Sequence, residues 1–310
     1  MSGLTDSYVP EPVRAELRGI GQIFFAENAL TGFLFVLGIV LSSPLMAAGL
    51  VVGSVIGTVT ARVLKFDAAE ISAGIYGFNS ALVGIAAFFF FKPGPLSLAL
   101  LVGGCVLATF LTRLMRRHVP FPTYTTPFIV TTWLLFFLGT AIGAARVEPG
   151  GPMVGVGFAQ AVAHGVSQVM FQASVLTALL FLIGIAISDW RHASWVLVGS
   201  FVGALVASFH ATAAARVLDP ESLVERSLPE TIALGLYGYN ATLAAIALFL
   251  GKRSFIPPLL GILISVPLTE FVPMLGLPAL TAPFVLATWL VLGLAWLEGR
   301  YFGPSAPPTP

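Results

Sequence analysis

The sequence predicts an all-α polytopic membrane protein with ten transmembrane helices plus two re-entrant half-helices, arranged as two five-span inverted repeats. Three observations predict it: charge is too scarce for a fold in water, ten apolar stretches follow one another closely, and three polar-marked blocks occur twice in the same order. Of 310 residues, 57% are hydrophobic and 9% are charged, whereas a soluble domain carries about 25% charged residues. Fifteen basic and 14 acidic residues give a net charge of +1, which excludes disorder by charge and leaves no basic patch for a nucleic acid. Cys105 is the single cysteine, so an internal disulfide and a multi-cysteine metal site are excluded. Neither a metal nor a cofactor is expected.

Residues 1–18 are polar, with Asp6, Glu11, Arg14, Glu16 and Arg18. They lack the apolar core of a signal peptide and read as a solvated or interfacial segment. The apolar stretches then run over 25–43, 44–64, 76–91, 95–115 and 126–144. A Gly/Pro linker, Glu148 to Pro152, separates these from five more at 170–188, 194–215, 237–250, 256–273 and 282–299. The division is therefore a first repeat over 1–148, a second over 153–302, and a Pro-rich disordered tail over 303–310. A full crossing takes about 20 apolar residues, and 76–91 and 237–250 fall short of it. Short, interrupted segments at matching places in two halves mark half-helices around a central site.

The blocks carry the repeat. Gly19 to Ser42 aligns without gaps on Gly165 to Ser188, with 10 identities in 24 positions, among them Gln22 with Gln168 and Phe25 with Phe171. Gly74-Ile75-Tyr76-Gly77-Phe78-Asn79 through Leu82 aligns on Gly235-Leu236-Tyr237-Gly238-Tyr239-Asn240 through Leu243. Phe121-Pro122-Thr123-Tyr124-Thr125-Thr126-Pro127-Phe128 aligns on Leu277-Pro278-Ala279-Leu280-Thr281-Ala282-Pro283-Phe284. Five spans per half is an odd number, so the second half enters the membrane upside down. With the N-terminus inside, the basic residues divide 11 on the cytoplasmic side to 4 on the other, which follows the positive-inside rule. Both termini are expected in the cytoplasm, in an inner (plasma) membrane.

No Asp, Glu, Lys or Arg falls well inside an expected span, which argues for a neutral cargo. His210 is alone within a span, and no catalytic constellation emerges, so the chain is not expected to be an enzyme. Asn79 and Asn240 stand where broken helices meet. An unpaired buried amide costs about 1–3 kcal/mol, so each either ties a half-helix or meets a substrate. Thr125 and Thr281 precede Pro127 and Pro283, which cannot donate a backbone hydrogen bond; each hydroxyl either satisfies the freed carbonyl or faces a pore. Gln22 and Gln168 are either interfacial or line the two mouths. Arg116 reads as a cytoplasmic loop charge of little consequence.

These blocks resemble the urea transporters. The signature Leu277 to Phe284 and its partner Phe121 to Phe128 are similar to that family's Leu-Pro-x-x-Thr-x-Pro-Phe, and the resemblance extends over about residues 15–300. It implies passive, channel-like permeation of urea down its gradient, with small urea analogues or amides as further cargo, one pore per protomer, and a homotrimer in the lipid bilayer. It further implies that Phe25, Phe78 and Leu82, and Phe171, Tyr239 and Leu243, line two aromatic slots. Thr125 and Thr281 would stand between the slots, with Gln22 and Gln168 at the mouths. Tyr239 departs from the Phe of the first half and adds a hydroxyl to one slot. The other classes open to such a sequence are an ion-coupled carrier, which would want a membrane-embedded carboxylate, and an ammonia or other small-solute channel, for which paired pore histidines are expected.

Overall fold

A computed structural model describes residues 9–148, 150, 153, 155–218, 229–251 and 254–301. Among them the chain is helical, with no named strand. The helices are α1 (Glu11–Gly21), α2 (Ala29–Ser42), α3 (Pro44–Val63), α4 (Ala68–Ser72), α5 (Gly77–Phe90), α6 (Pro95–His118) and α7 (Thr126–Ala141). After the linker come α8 (Phe158–Ser167), α9 (Val175–Ser188), α10 (Trp190–Leu218), α11 (Glu230–Ala233), α12 (Gly238–Gly251), α13 (Ile256–Met274) and α14 (Ala282–Tyr301). A single 3₁₀ turn follows α1 (Gln22–Phe24) and another follows α8 (Gln168–Met170).

Five of these helices, α3, α6, α13 and the portions Trp190–Ala211 and Ala282–Gly299, are long and apolar enough to cross a membrane. Two bent pairs also pass that test together: α1 with α2 at 76°, and α8 with α9 at 70°. Three shorter apolar helices, α5, α7 and α12, complete the set.

Local chemistry fixes the breaks. Phe25 and Phe171 adopt left-handed backbone, φ 58° and 59°, a conformation that costs about 1–2 kcal/mol for an L-residue. Each turns the chain out of its 3₁₀ turn. Asn28 then caps α2 by accepting the Thr31 N–H at 3.0 Å, and Ser174 caps α9 by accepting the Thr177 N–H at 3.3 Å. Gly74 (φ 79°) and Gly235 (φ 77°) turn the chain before α5 and α12. A Cβ on Gly74 would lie 2.2 Å from the Gly19 nitrogen, and one on Gly235 would lie 2.3 Å from the Gly165 nitrogen. Both positions therefore require glycine for space as well as for φ.

The centre is sewn together by hydrogen bonds that run both ways between α2 and α9. Thr31 Oγ1 donates to the Gly184 carbonyl at 2.7 Å, and Thr177 Oγ1 donates to the Gly38 carbonyl at 2.8 Å. Phe24, Phe35 and Phe181 fill the space beside them, with Phe35 and Phe181 ring centres 4.7 Å apart. A second exchange joins the half-helix ends: Trp133 Nε1 donates to the Pro278 carbonyl and Trp289 Nε1 to the Pro122 carbonyl, each at 2.8 Å. One hydrophobic core runs through both halves.

Several expectations change. Residues 11–18 belong to α1, whose Ala15, Gly19, Ile20 and Gly21 are buried; Glu16 reaches Ser54 Oγ at 2.7 Å and Thr58 Oγ1 at 3.1 Å on α3. This segment is packed, because Gly19 lets α3 and α5 approach, at Ser54 and Gly77. The spans expected at 25–43 and 170–188 begin later, at Ala29 and Val175, since the left-handed Phe in each cannot continue a helix. Arg116 lies on α6 rather than in a loop. The tail 303–310 and most of the Pro-rich linker lie outside the described residues.

Small residues set the closest helix approach. A Cβ on Gly84 of α5 would stand 2.0 Å from the Gly49 carbonyl oxygen of α3. Gly84→Val is expected to destabilise the protein by about 1–3 kcal/mol or more, visible as a lower Tm of the detergent-purified protein; an unchanged Tm would show that α3 and α5 can separate freely.

Candidate functional site: two cavities meeting at a threonine pair

The doubled Thr-x-Pro blocks converge at the middle of the molecule. Thr125 and Thr281, both buried, share a hydrogen bond of 2.7 Å between their hydroxyl oxygens. The hydroxyls thus bond each other. Each lies at the start of a helix with proline in its first turn, where the missing N–H breaks no helical hydrogen bond.

A cavity ends on each threonine. The smaller, about 200 Å³, is lined by Gln22, Phe25, Phe78, Thr112, Tyr124 and Thr125, with Arg116 at its edge. The larger, about 470 Å³, is lined by Gln168, Phe171, Tyr239, Thr269, Leu280 and Thr281, together with Phe89, Phe90 and Phe128. Eight of the ten residues expected along a path therefore fall on these walls, and they sort by half. Leu82 and Leu243 do not line either cavity; both are buried in the core one turn beyond Phe78 and Tyr239.

Both walls carry several aromatic rings. Phe25 meets Tyr124 edge-on at 5.8 Å and approaches Phe284 at 6.3 Å. Phe171 lies 4.6 Å from Phe89 and 6.3 Å from Phe128. Phe25 thus packs against a ring of the second half, and Phe171 against rings of the first. Tyr124 and Leu280 are in left-handed backbone, φ 46° and 45°. They stand immediately before the threonines and turn the chain into α7 and α14.

Asn79 and Asn240 are fully buried and bind backbone. Asn79 Nδ2 reaches the Tyr124 carbonyl at 3.5 Å, and its Oδ1 accepts the Phe128 N–H at 3.2 Å. Asn240 Nδ2 donates to the Leu280 carbonyl at 3.3 Å, and its Oδ1 accepts the Phe284 N–H at 3.1 Å. Asn79 Nδ2 also reaches Thr112 Oγ1 at 3.2 Å. Each carboxamide takes up an N–H that a helix start leaves without an intrahelical partner. Gln22 Nε2 similarly donates to the Ala73 carbonyl at 3.0 Å, tying the α1 end to the turn before α5.

The halves differ at one hydroxyl. Tyr239 donates to the Leu280 carbonyl at 2.5 Å, a bond that Phe78 cannot make to Tyr124. The Leu280 oxygen therefore accepts from both Tyr239 and Asn240. Sequence reasoning missed Tyr124, Phe128, Phe284, Phe89, Phe90 and Glu270. The first three lie inside the doubled signature and carried a signal; Phe89, Phe90 and Glu270 have no counterpart in a doubled block.

Arg116 is more than an inert charge. Its Nη2 and Nε reach Glu70 Oε1 at 2.8 and 3.1 Å, Arg113 Nη1 lies 3.4 Å from Glu70 Oε2, and Tyr76 donates its hydroxyl to the same carboxylate. Burial pushes the Glu70 carboxyl up, but the Tyr76 and Arg116 hydrogen bonds and the two guanidinium charges outweigh it and hold the group below its ordinary value. Because the folded value is depressed, the stabilisation is complete above the ordinary glutamate value of about 4.3 and is lost as pH falls through the folded value. Glu70→Gln is expected to lower Tm at pH 7 by an amount worth under about 1 kcal/mol for so exposed a network, and the gap to the parent should close below about pH 4. A gap independent of pH would show that Glu70 acts through packing.

Comparison with known proteins places this arrangement. The urea transporter profile matches residues 13–295, a range that takes in every residue of the two cavities. Urea transporter 1 of Ovis aries is 25% identical over 306 residues, covering 89% of this chain and 75% of the relative. That of Rattus norvegicus is 27% identical over 305 residues with the same coverage, and that of Mus musculus is 26% identical over 253 residues, covering 75% of this chain and 61% of the relative. With its helices long and apolar enough to cross a bilayer, and with a match that runs from α1 to α14, this chain is an integral membrane protein that belongs to the urea transporter family.

Proposed function

We propose that the chain is a passive, channel-like facilitator through which urea crosses a membrane down its gradient. The observation that carries this reading is the meeting of two aromatic-walled cavities at the Thr125–Thr281 hydrogen bond. Urea is flat and neutral, with four N–H donors and one carbonyl acceptor. A path for it needs hydrogen-bonding groups at close quarters that hold it too weakly to stall its release. Flat rings such as Phe25 and Phe78, or Phe171 and Tyr239, suit its faces and exclude hydrated ions. The ends of α1 and α8 bring the negative ends of two helix dipoles towards the cavities, which favours N–H donors. The threonine hydroxyls both donate and accept, so each can exchange its partner for a passing urea. Gln22 and Gln168 are assigned to the two mouths, and Asn79 and Asn240 to holding the frame. Leu82 and Leu243 are assigned to backing the slots.

The wider architecture belongs to the same reading. The five long helices, two bent pairs and three short helices make ten crossings if each counts once. The two halves, 1–148 and 153–302, are then inverted repeats about an axis in the membrane plane that passes between Thr125 and Thr281. The paired helix breaks and the two-way Thr31/Thr177 and Trp133/Trp289 hydrogen bonds support that symmetry. The protein is placed in the plasma (inner) membrane with both termini cytoplasmic, and a homotrimer with one path per protomer is proposed from the family resemblance.

Stopped-flow measurement on proteoliposomes tests the function. Urea flux is expected to follow the urea gradient and to ignore imposed proton and sodium gradients; dependence on either would overturn the passive mechanism. Thr281→Val and Thr125→Val should each lower flux about tenfold, the effect of leaving one hydrogen-bonding group unpaired at about 1–3 kcal/mol, while each variant still folds and reconstitutes, with Tm lowered by no more than that same cost. Unchanged flux in both would remove the pair from the path.

A further inference from the structure

The two cavities differ in charge as well as in size. Tyr76 and Tyr237 stand at the same place, just before α5 and α12. Behind the smaller cavity, whose wall includes Arg116, Tyr76 joins Glu70, Arg113 and Arg116, so the carboxylate there is committed to two guanidinium groups and is not on the wall. At the larger cavity Tyr237 donates to Glu270 Oε1 at 3.2 Å. Glu270 is on the wall itself, and no Lys or Arg lines this cavity among the described residues. His210 shares the adjoining open cleft with Glu270 and Tyr237 but is not on the cavity wall. Here a half-buried carboxylate with a neutral hydroxyl partner looks into a space walled by Phe89, Phe90 and Phe171.

Three physical effects converge on one ligand chemistry. A charge beside an apolar wall acts with less screening than in water. Aromatic faces attract cations. A carboxylate pairs best with a planar fork of N–H donors, which a guanidinium group presents and an ammonium group does not. Guanidinium is also close to urea in shape, so a cavity flat enough for one suits the other. We propose that the larger cavity is a binding site for guanidinium-type cations, held by Glu270 and stacked on its aromatic wall, where they block the path.

The inference rests on the urea reading for its flux readout alone; binding is measured separately. Isothermal titration of guanidinium chloride, up to 50 mM to stay far from denaturing conditions, into detergent-purified protein should show saturable binding that methylammonium chloride reproduces weakly and sodium chloride does not. In proteoliposomes guanidinium should inhibit urea flux. Measured against each variant's own uninhibited flux, Glu270→Gln should raise the half-inhibiting concentration about tenfold or more, the scale of one charge-assisted pair, and Glu70→Gln should not. Equal sensitivity of Glu270→Gln and the parent, equal inhibition by methylammonium, or no saturable binding to the parent protein would each overturn the proposal. Should Glu270→Gln fail to reconstitute, Glu270→Asp keeps the charge on a shorter arm and should weaken binding without abolishing it. Absence of urea flux without any cation would overturn the transport reading, while the titration would still decide the cation site.

Discussion

Asn79 and Asn240 each span a gap in the backbone ladder, taking up the carbonyl of Tyr124 or Leu280 and the N–H of Phe128 or Phe284. Much else depends on these two carboxamides. In hydrocarbon a helix can start or stop at mid-depth only where its free polar groups find partners inside the protein. Without them α7 and α14 could not begin in the interior, and Thr125 and Thr281 could not face each other there. The aromatic walls, the left-handed residues before the threonines and the tryptophan exchange between halves all presuppose that the chain can be broken at this depth. The cost of the breaks is spread over several small ties, Gln22 to Ala73 among them.

What the sequence disclosed and what it concealed follow from this. The breaks before α5, α7, α12 and α14 were legible because each is marked by a polar or helix-breaking residue in an apolar background and because each occurs twice: Gly74 with Gly235, Asn79 with Asn240, Pro127 with Pro283; those at Phe25 and Phe171 carry no such mark. The meeting of Thr125 and Thr281 was half legible. Their repetition suggested a shared role, but a hydroxyl–hydroxyl bond across 156 residues leaves no local trace. The packing of α1 was hidden because its polar residues look solvated one at a time; the glycines that let it dock act through the partner helices. Arg116 and Glu70 lie 46 residues apart, and Glu270 has no counterpart in a repeated block. Periodicity and repetition reveal frames well and unrepeated side chains poorly.

The departures from symmetry are where this chain is individual. A perfectly duplicated frame would present the same groups at both ends. Here the Tyr239 hydroxyl occupies the Leu280 oxygen, the cavities differ in size, and the smaller has the Arg116 guanidinium on its wall where the larger has the Glu270 carboxylate. A passive path must conduct equally well in both directions at equilibrium whatever its asymmetry. Unlike cavity walls nonetheless present unlike chemistry, so a solute would meet different groups in the two cavities.

The reciprocal bonds at the centre also bear on how the chain is made. Gly38 receives its hydrogen bond from Thr177, 139 residues later in the chain, and Gly184 receives its own from Thr31. At a synthesis rate of about 5–20 residues per second, the first half waits roughly 7–28 seconds for that partner to emerge. During the wait the Trp133 indole and the Thr125 hydroxyl have no second half to bond. The first half therefore stands, for that interval, with unpaired polar groups on the face that the second half later covers.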